Sequence, residues 1–276
     1  MFGKLLKHDF LATGRIMVIV YAIFAVLSAY VLGSFYLGDV SVENMGILET
    51  LSILLLVIGS VVNIILTIVV VMSHFQKSLY GDQGYLSFTL PVKSLSILSS
   101  KLLVSTFWYA LSIAALFGSL FIVGDAMSQS VGEEGLSLID MLIGMFDENL
   151  NLGVLAFMLV CILINAFVSA FLYMVEVCFA ITLSNTRHFQ KHHVIFTLIF
   201  SAAAILIAGK ISSVIADEIM LGVTFDVSGE ELKFITDISD ANISFINLMP
   251  SVVSIVFVVV FFFATHYVMS KKINLR

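Results

Sequence analysis

Residues 50–73 read TLSILLLVIGSVVNIILTIVVVMS, a stretch without a single charge. About 20 helical residues cross a hydrocarbon core of about 30 Å, so this stretch is long enough to span a bilayer. Working outward from it, five more stretches share its character: 16–38, 102–124, 153–183, 194–216 and 247–270. Composition points the same way, with 60% hydrophobic residues, 12% charged residues and a mean hydropathy of +1.11. A soluble core of this size would need far more polar cover. The expected fold is all-α: one polytopic membrane domain over 1–276 with six transmembrane helices, whose first partner is the lipid bilayer.

Charge orders the segments between the spans. If the N-terminus is placed inside and the gaps alternate, the inside segments hold Lys4, Lys7, Arg15, Lys77, Lys93, Lys101, Arg187, Lys191, Lys271, Lys272 and Arg276, which is 11 of the 13 basic residues. The outside segments hold 16 of the 19 acidic residues, among them Glu43, Glu49, Glu133, Glu134, Glu230 and Glu231. Lys and Arg retained on the cytoplasmic side set orientation, so both termini are expected to be cytoplasmic. The formal charge of −6 is the sum of a basic inner face and an acidic outer face. It does not speak for nucleic acid, and no basic patch with interleaved aromatics is present to bind it.

Smaller features fit this frame. Cys161 and Cys178 lie in one span, about 25 Å apart along a helix, too far for a disulfide. The run 16–38 is longer than a secretory signal core and no small-x-small cleavage site follows it, so it is expected to stay as the first span. Residues 1–14, MFGKLLKHDFLATG, predict an amphipathic helix on the inner membrane surface, with Phe2, Leu5, Leu6 and Phe10 near one face. Asp9 interrupts that apolar arc. Either it is one misfit residue on a lipid-lying helix, or it meets a protein partner. The outer loop 125–151 carries Leu138, Ile139, Leu142, Ile143 and Phe146 at helical spacing, which predicts a short surface helix. The outer loop 217–246 mixes β-branched residues with acids. Asn247 and Pro250 suit the first turn of the last span. Ala166 and Ala170, and more loosely Gly59 and Asn63, form small-x-x-x-small steps that permit close helix contact.

The inner segment 74–101, HFQKSLYGDQGYLSFTLPVKSLSILSSK, is far longer than a turn requires. A helix-like start at Phe75–Tyr80 gives way to a Gly-Asp-Gln-Gly break, then Tyr85, Leu86, Phe88 and Pro91. Tyr, Leu and Phe on a cytosolic loop are what a protein-docking surface needs. The competing reading folds these side chains back onto the bundle. The stretch LYGDQGYLSFTLPVKSLSILSSKLLVSTFW (79–108) resembles the loop between the second and third spans of bacterial ABC-2 type permeases, the membrane subunits of ABC exporters. LLKHDFLATGR (5–15) is similar to the opening of such permeases in Gram-positive bacteria. Together these stretches cover 41 residues; elsewhere the match is in span number and layout alone.

The resemblance implies a permease in the cell membrane of a bacterium, with residues 1–14 as the connecting helix and 76–91 as the coupling helix. It implies separate ABC ATP-binding subunits as partners and a second permease subunit, identical or related. The cargo would be a peptide, an antimicrobial or a lipid-like molecule. Contacts to the ATPase would come from Lys77, Tyr80, Asp82, Gln83, Gly84, Tyr85 and Leu86, with Asp9. Where family members carry Gly-Asp-Glu-Gly, this chain has Gln83, which leaves Asp82 as the carboxylate of that turn and removes support from a salt bridge at position 83.

The chain has no G-x-x-x-x-G-K-[ST] loop to cradle phosphates, so it is not expected to be an enzyme or to need a cofactor of its own. ATP and Mg would be bound by the partner subunit. The alternative energy source is an ion gradient, which needs ionisable groups inside the spans, where they are costly. Glu176 lies about 12 Å from the inner end of its helix, counted from Ser184. Lys210 lies nearer the outer end of the fifth span. Both are candidates for gating or substrate contact, and an ion-coupled carrier through Glu176 is the second hypothesis. The third is a membrane metalloenzyme using His188, His192 and His193, because His at i and i+4 share a helix face and the string is similar to one histidine box of membrane desaturases. Those enzymes need several boxes. The other histidines are isolated, so no metal site is expected and the turn is read as basic cover facing anionic headgroups or the partner.

Overall fold

The structure is a computed structural model that describes residues 2–37, 46–81, 94–130, 152–186, 189, 192–218, 222–225, 232–235, 244–247 and 249–271. Among the described residues, six helices are long and apolar enough to cross a membrane. They are α1 (Phe2–Leu37), α2 (Ile47–Leu79), α3 (Ser94–Ser130), α4 (Leu152–Ser184), α5 (His193–Glu218) and α6 (Met249–Lys271). Three short strands lie between α5 and α6: β1 (Gly222–Phe225), β2 (Leu232–Ile235) and β3 (Ser244–Asn247).

The surface is apolar and much of the interior is polar, the reverse of a soluble protein. Val26 is 71% exposed and Leu206 69% exposed, while Ser60, Thr67, Ser112 and Thr182 are buried. Lipid is the solvent for the outer side chains, so burying them gains little. Buried hydroxyls need partners in hydrocarbon and find them one helical turn back. Ser60 donates to the Val57 carbonyl at 2.7 Å, Thr106 to Leu102 at 2.8 Å and Thr265 to Phe261 at 2.7 Å. Both cysteines are free.

The first three helices overrun what a membrane requires. At 36, 33 and 37 residues they are about 50–55 Å long. Segment 1–14 is continuous with the first span, since α1 runs unbroken through Gly14. The helix-like start of segment 74–101 is the end of α2, and α3 begins at Ser94 and runs on to Ser130, past the expected loop start at Asp125. Gly81 closes α2. Its amide donates to the Gln76 carbonyl at 2.9 Å, as does that of Tyr80, a closure of the Schellman kind. A Cβ at Gly81 would stand 2.9 Å from the Lys77 carbonyl oxygen, which explains glycine there. The expected helix around Leu138–Phe146 lies outside the described residues.

The all-α expectation holds for the spans and is corrected in the α5–α6 connection. Here β1 is central in a sheet of order β2-β1-β3, antiparallel on both sides. The sequence of these strands is rich in β-branched and aromatic residue types, which favour strands. Asn247 closes β3, paired with Gly222, rather than opening the last span. Pro250 does sit in the first turn of α6.

The chain divides into two compact units. One comprises residues 1–9, 71–106 and 150–276. In it α4 packs on α5 and α6, and α5 on α6. Its core gathers Phe75 and Leu79 of α2, Leu98 and Leu102 of α3, Cys178 and Ile181 of α4, and Met269 of α6. The other comprises residues 10–70 and 107–149, with Val31 and Phe35 of α1 packed on Leu56 of α2 and, at the edge, Ile122 and Val123 of α3.

Candidate functional site

The first unit holds a buried ionic cluster built from three segments far apart in sequence. Asp9 of α1 is 4% exposed and Lys101 of α3 is 6% exposed. Lys101 Nζ donates to Asp9 Oδ1 at 2.9 Å, and Ser100 Oγ donates to Oδ2 at 3.1 Å. His74 Nε2 of α2 lies 3.3 Å from Oδ1. Burying one charge in an apolar setting is prohibitive, whereas a paired and hydrogen-bonded charge is sustainable. Asp9 breaks the apolar arc of its helix because that position faces a lysine and not lipid. Sequence reading singled out Asp9 as either a misfit or a point of protein contact; within the chain its partner is Lys101. Lys101 was read only as one of the inner basic residues. Pairing across 92 residues leaves no local signal.

The same core clamps the two ends of segment 82–93. Phe75 and Leu79 precede it, Ile97 and Leu98 follow it, and all four pack with Val175, Cys178 and Ile181 of α4. Tyr80 adds a polar tie. Its hydroxyl donates to Thr182 Oγ1 at 2.8 Å, and Thr182 donates on to the Cys178 carbonyl at 2.8 Å. Burial pushes the Tyr80 phenol well above its ordinary range, so it stays a neutral donor. Tyr80 therefore has its hydroxyl turned toward α4. Lys77 is exposed. Asp82, Gln83, Gly84, Tyr85 and Leu86 lie outside the described residues.

The turn between α4 and α5 is fastened at both sides. Asn185 Nδ2 donates to the Ile181 carbonyl at 2.7 Å, Ser184 and Thr197 share a 2.6 Å hydrogen bond, and the Phe189 ring lies 4.7 Å from that of Phe196. His192 in this turn is exposed, while His188 and the side chain of His193 lie outside the description. Among the described residues no three His, Cys, Asp or Glu side chains are grouped to hold a metal.

Glu176 is buried at 3% exposure and its Oε1 has no hydrogen-bond partner. Lys210 is exposed, and its carbonyl accepts from Ser213 at 2.9 Å. The structure thus brings Asp9, His74, Ser100 and Lys101 together, joins Tyr80 to α4, and keeps Glu176 and Lys210 on separate helices. Among the described residues named here, no nucleophile is paired with a base. It ties together chain segments on either side of residues 82–93. No protein-family model, curated protein or solved structure matches this chain.

Proposed function

We propose that this multi-pass membrane protein is the permease subunit of a bacterial ABC exporter, with its basic face toward the cytoplasm and its work driven by separate ATP-binding subunits. The observation that carries this reading is the shared core around segment 82–93. Both flanks of the segment are packed against α4, so a push on it is delivered to a transmembrane helix and not absorbed by a loose loop. The resemblance of residues 79–108 and 5–15 to permease sequences supplies the direction of transport and the identity of the partner. ATP binding would close two ATPase subunits and displace the 82–93 segment, and with it α2, α3 and α4. The path would form between this chain and a second permease.

Replacing Tyr85 and Leu86 together with Asp tests the docking surface. The expected result is loss of the ATP-binding subunit from co-purification while the permease still inserts; undiminished recovery of the partner sinks the docking assignment.

The orphaned Oε1 of Glu176 favours one other reading, an ion-coupled carrier. Glu176→Gln separates the two. Transport that stays ATP-driven supports the exporter, and loss of transport together with its pH dependence supports the carrier.

A further inference from the structure

The exposed charge at one end of the first unit is all of one sign. In its stretches 2–9, 71–81 and 94–106, the described parts of α1, α2 and α3, Asp9 is the one acidic residue. Asp9 is 4% exposed and is taken up by Lys101. Lys4, Lys7 and His8 on α1 and Lys77 on α2 are exposed. These three lysines form no ion pair among the described residues. His74 against Asp9 and Thr67 against Met17 show that α1 and α2 run antiparallel. Lys4 and Lys7 precede Asp9 and Lys77 follows His74, so all three lie toward the same end.

Helical geometry links the buried pair to the exposed stripe. Lys4, Lys7 and His8 share a face at i, i+3 and i+4. Lys7 and Asp9 are about 160° apart round the helix. Turning Asp9 inward to Lys101 therefore turns the basic face outward. The same pairing consumes the one negative charge that could have balanced it, and the field of the exposed lysines is left uncompensated.

We infer that Lys4, Lys7 and Lys77 form a docking surface for the headgroups of anionic phospholipids. Charge complementarity asks for an anionic occupant, and position selects lipid over an acidic protein. Leu11, one turn after Lys7 on the same face of the continuous helix α1, is 58% exposed. The lipid-facing surface goes on through Ile16, Val18 and Ile19, which are 51%, 61% and 63% exposed. Lys7 thus lies about 6 Å past the apolar surface along the helix axis. That is within a headgroup layer of about 5–8 Å per leaflet. Phosphate diesters at this depth accept from lysine ammonium groups. Lys77 is also among the residues that the resemblance gives to an ATPase. The inference needs no ATPase, and its test leaves Lys77 unchanged.

The full chain is reconstituted in phosphatidylcholine nanodiscs that carry a trace of photoactivatable phosphatidylglycerol or photoactivatable phosphatidylcholine, each with its diazirine near the glycerol. After illumination, labelling of segment 2–15 is measured by peptide mass spectrometry relative to labelling of α6. The phosphatidylglycerol probe is expected to label 2–15 about fivefold more than the phosphatidylcholine probe, the ratio for one well-placed lysine. Lys4→Gln combined with Lys7→Gln should equalise the probes. Lys4→Arg combined with Lys7→Arg should keep the preference, since the charge is retained. Raising the salt should weaken it in the wild type, because exposed charges are screened. Equal labelling by both probes, a preference unchanged in the Gln variant, lost in the Arg variant or indifferent to salt overturns the inference. If the double Gln variant does not fold, Lys7→Gln alone replaces it and must lower the ratio.

Discussion

The two units solve the burial of polar atoms differently. In the first, Asp9 is met by Lys101, Ser100 and His74, and both carboxylate oxygens are engaged. In the second, a chain of neutral hydroxyls satisfies backbone carbonyls, and the buried Oδ1 of Asn63 is left without a partner. A buried charge forces its neighbourhood to organise around it, because an unpaired one is not tolerated. A neutral amide costs less when unpaired, so its neighbourhood can remain incomplete. The ionic cluster is held by opposite charges, and the hydroxyl cluster by neutral hydrogen bonds alone.

The largest test of that contrast is Lys101→Met. It leaves the Asp9 charge buried without its strongest partner, which costs about 3–5 kcal/mol. The thermal midpoint of the detergent-solubilised protein should fall sharply, and Asp9→Leu combined with Lys101→Met should recover most of the loss. A single mutant as stable as the wild type would mean that the pair is not buried as described. The smallest test has the opposite sign. Asn63→Leu removes a buried amide whose Oδ1 has no partner to lose, so the midpoint should rise, by an amount corresponding to about 1 kcal/mol. A fall as deep as that of Lys101→Met would erase the distinction between the two units.

The spans were legible in the sequence because bilayer thickness imposes a minimum apolar length and because the charges are sorted by sign. The helices that overrun the spans were less so. Residues 2–15 and 74–79 are mixed in polarity, and whether such a stretch lies flat or continues a rod is decided by tertiary partners. Gln76 and Gly81, which close α2, gave only a local hint of a break. The strands Gly222–Phe225, Leu232–Ile235 and Ser244–Asn247 are too short for a clear period-two signal. Asp9 stood out as an anomaly on its helix, but its partner Lys101 is named by packing alone. Asn63 looked like a loose small-residue step; only its burial, with Oδ1 lacking a partner, marks it as more.

The little sheet beyond α5 constrains how the last two helices can move. Gly222, just past α5, is paired with Asn247, just before α6, and the pairing continues along Val223–Ile246 and Thr224–Phe245. Two helices stapled at one end and packed along their sides cannot be prised apart there without unzipping the ladder. Any rearrangement of this half of the protein must carry α5 and α6 as a single hairpin, hinged elsewhere.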